Sequence, residues 1–273
     1  MNVRIALAQM TSTRDIEKNL ETCRRLAAEA AEDRVRWLIY PENAPFLGAD
    51  KEKAAIAEAL DGPLMESFRE MARTGKMFVT LAGFPEIAPT SGHTFNTLVT
   101  LNPAGETIAV YRKMHLFDAK VDEQTSYRES DSCTPGEELV LSAMHFDDLT
   151  LNVGLSICYD LRFPELYREL RKRGANVLIV PSAFTLQTGR DHWHALLRAR
   201  AIENQCYVLA PDQVGVHFGQ RASFGHSCIY DPWGQLLACA PDLTCLVTAD
   251  LDLGYLNMVR ERMPVEAHRR IDK

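Results

Sequence analysis

Three side chains of this sequence have the types needed for nucleophilic chemistry, and each stands just after an apolar run: Glu42, Lys113 and Cys158. Cys158 closes the run that begins at Leu149, and the string after it, Tyr-Asp-Leu-Arg-Phe-Pro-Glu-Leu, leads into a helix. A free thiol with a pKa of ~8.5 is only slightly ionised at neutral pH, so a nucleophilic cysteine needs a nearby base or cation. Backbone N–H groups near the helix start can face a developing oxyanion. Lys113, in Tyr-Arg-Lys-Met-His-Leu-Phe-Asp, and Glu42, in Tyr-Pro-Glu-Asn, bring an ammonium and a carboxylate to two other run ends. In mixed α/β sheets the strand ends are where rigid scaffold meets ligand-binding loops. A thiol, a carboxylate and an amine at three such ends make a nucleophile, a base and an electrostatic partner. Each also has a plain alternative. A free cysteine is commonly a small buried hydrophobe, a lysine after a hairpin strand is by default a surface charge, and Glu42 could cap a helix or sit solvated in a loop.

Other chemistries find less support. Asp191-His192-Trp193-His194 suggests a metal site, but its histidines are two apart on an expected helix and do not share a face, whereas zinc-binding helices space ligands i, i+4. No metal is expected. Ser156 lies outside any G-x-S-x-G elbow, and no G-x-G-x-x-G or P-loop string occurs. The stripe Trp193, Leu196, Leu197 and Ile202 reads as core.

The elements that must position these residues follow from periodicity. Val3–Met10 is expected as a strand, Asp15–Ala31 as a helix with apolar positions at helical spacing, and Val35–Tyr40 as a strand stopped by Pro41. Asp61-Gly62-Pro63 opens a helix running to about Thr74. Phe78–Phe84 is a strand, and His93–Leu101 with Thr107–Tyr111 form a hairpin across Asn-Pro-Ala-Gly-Glu. A polar loop follows from about Lys120 to Glu138, of a length that usually carries function. Strands are then expected at Leu149–Ile157, Asn176–Val180, Tyr207–Ala210, Ser227–Asp231, Gln235–Cys239 and Thr244–Leu251, with helices at Pro164–Arg173 and Asp191–Asn204 and a charged tail at the end. Interleaved strands and helices without repeat or linker imply a mixed-sheet α/β architecture whose sheet faces are covered by helices.

Composition narrows the partners. The chain has 273 residues, long enough to bury a sizeable core, with 46% hydrophobic and 25% charged residues. Its net charge of −7 argues against nucleic acid, which wants clustered Lys and Arg. Seven cysteines, an odd number without a C-x-x-C pair, fit reduced thiols better than a disulfide framework or zinc ribbon. No apolar run approaches the ~20 residues of a membrane span, and no signal peptide precedes the first strand. The expected setting is the cytoplasm.

Taken together the segments resemble the nitrilase superfamily, whose members carry Glu, Lys and Cys in this order after three strands. The likeness runs from Ala6-Leu-Ala-Gln9 to His268-Arg-Arg. Its most telling strings are Arg112-Lys-Met-His-Leu-Phe-Asp118, Cys158-Tyr-Asp-Leu-Arg-Phe-Pro-Glu-Leu166, Pro181-Ser-Ala-Phe-Thr185, Leu197-Arg-Ala-Arg-Ala-Ile-Glu-Asn-Gln-Cys-Tyr-Val208, Gly225-His-Ser227 and Asp231-Pro-Trp-Gly234. They look like the Nit branch, the relatives of the Nit half of Nit–Fhit fusions.

The resemblance implies one carbon–nitrogen hydrolase domain over residues 1–273, folded as a four-layer α-β-β-α sandwich, with no organic cofactor. It implies a small-molecule amide substrate cut by Glu42, Lys113 and Cys158, with Tyr159 N–H near the oxyanion. It places a second glutamate at Glu129, which orients Lys113 or the substrate, or else is a solvated loop carboxylate. Arg162 holds a substrate carboxylate or pairs with a structural acid, and Phe184 and Thr185 line the substrate side. Two activities are known in the branch: hydrolysis of deaminated glutathione to α-ketoglutarate and Cys-Gly, and ω-amidase action on α-ketoglutaramate. The string after Ala201, with Gln213 and Arg221-Ala-Ser-Phe-Gly-His-Ser, looks more like the first. The alternatives are ω-amidase, another amidase or N-carbamoylase, and a non-catalytic binding protein on the same fold. Members pair through helices, so a homodimer or higher homo-oligomer is expected, with Pro164–Arg173 and Asp191–Asn204 at the contact. Departures fall at Asn43-Ala44-Pro45-Phe46, Asp191 and Ala210-Pro211-Asp212-Gln213; they leave the three catalytic positions intact and bear on substrate preference.

Overall fold

The computed structural model describes residues 2–120, 126–147 and 149–271. Two sheets of six strands dominate it. The first has the order β16 (Cys245–Asp252), β1 (Asn2–Gln9), β2 (Trp37–Glu42), β3 (Phe78–Ile87), β4 (Thr94–Leu101) and β5 (Thr107–Arg112). The second runs β15 (Leu236–Cys239), β14 (Cys228–Tyr230), β11 (Tyr207–Ala210), β10 (Val177–Ile179), β9 (Leu149–Leu155) and β8 (Leu141–Phe146). Each has a parallel centre, β1–β2–β3 and β9–β10–β11, flanked by antiparallel strands.

Side-chain parity sorts the central strands between two cores, because successive residues of a strand face opposite ways. Val3, Ile5 and Leu7 of β1, Trp37 and Ile39 of β2, Leu151, Val153 and Leu155 of β9, and Val177 and Ile179 of β10 pack together between the sheets. The alternate residues Ala6, Ala8, Leu38 and Tyr40 face α1 (Ile16–Glu32) and α3 (Pro63–Gly75), meeting Leu20, Cys23, Leu26, Met65 and Phe68. On the far side Leu178, Val180 and Val208 meet α4 (Pro164–Lys172) and α5 (Leu186–Asn204) through Tyr167, Leu170, Trp193 and Leu197. The layers are therefore α-β-β-α, as the resemblance implied. Each fully buried side chain of this size contributes roughly 1.5–3 kcal/mol, so the register is fixed by what a one-residue slip would expose.

Helix starts follow local chemistry. Asp15 accepts a bond from Lys18 N at 3.2 Å and caps α1. Pro63 occupies the first position of α3, where its missing N–H costs nothing. Several expectations need correction. Pro41 does not stop β2, which continues to Glu42 across a register irregularity between Ile39 and Glu42 that absorbs the missing donor. α5 begins at Leu186, ahead of the expected Asp191. The expected loop over 120–138 contains a short ribbon, β6 (Asp118–Lys120) with β7 (Ser126–Arg128), and a 3-10 turn, Glu129–Asp131; its residues 121–125 lie outside the described ones. Five elements were not anticipated: α2 (Asp50–Ala55), β8, the paired strands β12 (Val214–Phe218) and β13 (Arg221–Phe224), and α6 (Leu253–Arg262), which takes up part of the expected tail. The tail's last residues, 272–273, also lie outside the described ones. No helix among the described residues is long and apolar enough to cross a membrane.

Candidate active site

The C-terminal ends of the parallel strands of both sheets open onto one cavity of about 270 Å³. β2 ends at Glu42, β9 leads to Cys158, and β10 leads to Ala183, Phe184 and Thr185, all of which line it. Lys113 enters from the end of β5, and Glu129 from the 3-10 turn after β7. Tyr159 and Arg162 complete the expected set, so every site residue singled out in the sequence reaches the same cavity wall.

Lys113 is the hub. Its side chain is 2% exposed, which rules out the surface-charge alternative. Nζ lies 3.1 Å from Glu42 Oε1 and 3.2 and 2.9 Å from the two oxygens of Glu129. Asn96 Nδ2 ties the same carboxylates together, donating to Glu42 Oε1 at 2.8 Å and Glu129 Oε1 at 2.9 Å. Phe117 N donates to Glu129 Oε2 at 2.7 Å, and Ala183 N donates to Glu42 Oε2 at 3.0 Å. Glu129 is thus no solvated loop carboxylate.

The charges settle unequally. Burial is the largest influence on both glutamates and works to raise them, but Lys113, Lys53 and the hydrogen bonds the carboxylates accept together outweigh it, so both end below the usual carboxylate range. Glu129 falls to about 2, helped by its bonds from Lys113 and Phe117. Burial likewise works against the Lys113 ammonium, and Glu129 and Glu42 overcome it, holding its pKa well above normal. Burial pushes the Cys158 thiol well up, Glu42 adds to that, and Lys113 opposes it. The resting arrangement is therefore a neutral thiol beside an ionised carboxylate and an ammonium.

Cys158 has φ +47°, a left-handed conformation uncommon for a side chain with a Cβ. It opens a 3-10 turn, Cys158–Arg162, and its N–H donates to Pro181 O at 3.0 Å. Asp160, fully buried in that turn, holds the conformation. Its Oδ2 accepts from Ile157 N at 2.8 Å and Tyr111 Oη at 2.7 Å, while Oδ1 accepts from His115 N at 3.1 Å and contacts His115 Nδ1 at 2.7 Å. Because Tyr111 and His115 flank Lys113, Asp160 links the lysine segment to the cysteine turn. Glu42 is braced from behind by Gln213, whose Nε2 donates to Glu42 O at 3.0 Å and to Ser12 Oγ at 2.8 Å. Beside it, Asn43 N donates to Ala82 O at 2.9 Å. That approach requires Gly83, with φ +74°, since a Cβ there would stand 2.1 Å from Asn43 N.

The far wall is cationic and aromatic. Arg162 lies over Tyr159 and Phe184, 5.9 and 5.3 Å from their ring centres, and its Nη1 stands 3.3 Å from His192 Nδ1. Arg221, from β13, was not assigned a role from the sequence. Its guanidinium stands 4.5 Å over Tyr127, one nitrogen donates to Ala183 O at 3.2 Å, and Nη1 is buried without a partner among the described residues. Phe184 N donates to Asp212 Oδ1 at 2.8 Å, and Thr185 Oγ1 meets Thr188 Oγ1 at 2.6 Å at the start of α5. Asp160, Asn96, Gln213 and Arg221 escaped sequence reasoning because their partners are distant in the chain. Only Arg221 had a local signal, the Gly219-Gln220 pair at two-residue hairpin spacing between β12 and β13.

The carbon-nitrogen hydrolase model matches residues 4–261. The sequence is 42% identical over 270 residues to the nitrilase and fragile histidine triad fusion protein NitFhit of Caenorhabditis elegans, covering 98% of this chain and 61% of that protein. The chain thus spans less than two thirds of the fusion relative's length. It is 41% identical over 265 residues to a deaminated glutathione amidase of Synechocystis, covering 97% of each. The fold superposes on the crystal structure of C. elegans NitFhit with a TM-score of 0.90 at 40% identity, over 98% of this chain and 65% of that one. It also superposes on Saccharomyces cerevisiae Nit3, a member of branch 10 of the nitrilase superfamily, with a TM-score of 0.86 at 28% identity, over 99% and 97% of the two chains.

Proposed function

The chain belongs to the carbon–nitrogen hydrolase family, within the nitrilase superfamily, and from that premise we propose that it is a thiol amidase whose substrate is deaminated glutathione. The observation that carries the reading is the buried Glu42–Lys113–Glu129 array lining one cavity with Cys158. With the thiol neutral at rest, attack needs a base at the moment of bond formation. Glu42 takes the Cys158 proton as sulfur adds to the amide carbonyl. Glu129, more strongly engaged and held at about 2, stays ionised and keeps Lys113 charged and in place. The oxyanion is met by Lys113 Nζ and the Tyr159 N–H; such a donor is worth ~10²–10³ in rate. Protonated Glu42 passes its proton to the leaving amine. A thioester remains on Cys158, and water deprotonated by Glu42 releases the acid. No step calls for a metal or an organic cofactor.

Substrate class follows from the far wall. Deaminated glutathione carries a carboxylate on each side of its scissile amide, one on the α-keto acyl part and one on the Cys-Gly leaving group. Arg162 and Arg221 offer two guanidinium groups, and the buried Nη1 of Arg221, which has no partner among the described residues, favours a ligand that brings an acceptor to it. Seven free cysteines fit action in the reducing cytoplasm. Self-association is inferred through the α4–α5 face, where Ile202 (48% exposed) packs beside the turn bearing Trp233 (54% exposed); sedimentation equilibrium at micromolar concentration should give a dimer or larger species.

The deciding experiment measures α-ketoglutarate release from deaminated glutathione, beside α-ketoglutaramate and a carbamoyl amino acid. The expected result is clear preference for the first, absent in Cys158→Ala. Preference for another substrate would retain the thiol chemistry and reject the substrate. Turnover by Cys158→Ala would reject the mechanism.

A further inference from the structure

A second cluster of reactive side chains lies outside the cavity wall. His194 of α5, His226 at the β13–β14 junction and Cys239, the last residue of the edge strand β15, bring one ligand atom each to within 4.8 Å of one another. We propose that these three residues bind a divalent cation of the zinc class, clasping the edge of the second sheet to α5.

The arrangement of hydrogen bonds around both imidazoles supports this. A metal-bound histidine commonly has its other ring nitrogen held by a carboxylate, a carbonyl or a similar partner. His226 Nδ1 faces Cys239 Sγ at 3.8 Å, while its Nε2 is held by Asp242 Oδ1 at 3.2 Å. His194 Nδ1 is held by Tyr230 Oη at 3.0 Å, which leaves its Nε2 for a metal. The rings are already oriented. His226 stacks on Phe224 with centres 4.4 Å apart, its backbone is left-handed at φ 55°, and Trp193 Nε1 donates to its carbonyl at 3.0 Å.

The distances are workable. Tetrahedral zinc, with Zn–N of 2.0–2.1 Å and Zn–S near 2.3 Å, separates its ligand atoms by about 3.3–3.6 Å. The Sγ–Nδ1 distance of 3.8 Å nearly meets this. The widest separation, up to 4.8 Å, needs a contraction of about 1.2–1.5 Å. Cys239 is exposed, so its side chain has room to turn towards the two imidazoles. Two nitrogens and a thiolate suit zinc and its cobalt(II) surrogate over magnesium or calcium, and water completes four-coordination. Helical spacing could not disclose such a site: His192 turns to Arg162, with Nδ1 3.3 Å from Nη1, so α5 supplies one ligand and two other elements supply the rest.

Cobalt(II) titration of the EDTA-stripped, phosphine-reduced, full-length protein tests the proposal, in wild type and in Cys158→Ala to remove the cavity thiol as a competitor. Expected are one equivalent bound in both, a sulfur-to-cobalt charge-transfer band with tetrahedral visible bands, displacement by zinc, and a zinc-dependent rise in thermal midpoint. Cys239→Ser should abolish the band and the rise while leaving amidase turnover unchanged. His194→Ala and His226→Ala should weaken binding at least tenfold. Absence of the band at tenfold excess cobalt, its loss in Cys158→Ala, or its survival in Cys239→Ser would overturn the proposal. Cys239 is exposed, so that last arm remains readable even if a histidine variant fails to fold.

Discussion

Replacing Glu42 by glutamine changes one atom and removes the only function that separates it from Glu129. Glu42 Oε1 accepts from Lys113 and Asn96, and Oε2 accepts from Ala183 N. A glutamine keeping its oxygen towards Lys113 and Asn96 turns its NH₂ onto the Ala183 N–H, setting donor against donor at about 3.0 Å. Flipping the amide sets it against two donors instead. The local cost is that of a buried unsatisfied pair, about 1–3 kcal/mol. Lys113 does not become orphaned, because it retains both oxygens of Glu129. The protein should therefore fold, with a modestly lowered denaturation midpoint. The kinetic cost is larger. The Cys158 thiol, pushed up by burial, loses the carboxylate proposed as its base, and general-base catalysis is worth typically 10²–10⁴ in rate, or roughly 3–5 kcal/mol on the barrier. The assay is single-turnover acylation on the substrate identified by the panel above, with folded fraction set by urea titration of the same sample. A rate within threefold of wild type in a folded Glu42→Gln protein refutes Glu42 as the base and returns the proton to another group.

Arg221→Ala should raise KM for a dicarboxylate amide by about tenfold or more with little change in kcat, since a charge-assisted bond is worth roughly 1.5–3 kcal/mol; initial-rate kinetics against a neutral short amide, which should be unaffected, provide the check. Glu129 and Glu42 bind protons more weakly folded than unfolded, so their contribution to stability is complete above the ordinary value of 4.5 and is lost as pH falls, for Glu129 down to about 2. Urea midpoints between pH 6 and 3 should fall accordingly, best measured in Asp212→Asn, because burial raises Asp212 and makes it titrate in the opposite sense. Gly83→Ala should cost at least about 2 kcal/mol, combining a left-handed φ of +74° with a Cβ 2.1 Å from Asn43 N; a wild-type thermal midpoint would contradict the tight approach of β3 to the Glu42 segment.

Sequence exposed the strands that carry Glu42, Lys113 and Cys158 by local pattern alone: β2 is an apolar run buried on both faces, β9 becomes one towards Leu155, and the edge strand β5 is announced by the hairpin turn before it and by the alternate burial of Ala109 and Tyr111. It exposed less where tertiary contact overrides local preference. Pro41 reads as a strand terminator, yet β2 resumes pairing at Glu42↔Ala82 because the irregularity falls where proline lacks its donor. Leu186 to Arg190 read as loop because Gly189 weakens the helical signal, and the glycine is there for packing: a Cβ would stand 2.3 Å from Phe224 of β13. The ribbon β12–β13 has an exposed Val216 and two glycines, so its strands lack the apolar alternation by which strands are recognised. It is held instead by His217, whose ring nitrogens reach Ser12 O at 2.8 Å and Ser223 Oγ at 2.9 Å. Arg221 was missed with it.

The carboxylate–ammonium–carboxylate array argues for function on energetic grounds as well as by position. Three charges taken from water at one site cost more than most buried pairs return, and apolar replacements of buried ion clusters are often neutral or stabilising. A fold seeking stability would not place Glu42, Lys113 and Glu129 together behind a cavity. The array also leaves its members unequal. Glu129 takes two of the three contacts from Lys113 and a backbone N–H, while Glu42 shares one oxygen between Lys113 and Asn96 and turns the other towards Ala183, beside the cysteine turn. An arrangement that served only to neutralise Lys113 would need one carboxylate. The second is explained when one anion must stay ionised to hold the lysine while the other accepts and returns a proton, and Glu42, which faces the cysteine turn, is the one placed to do so.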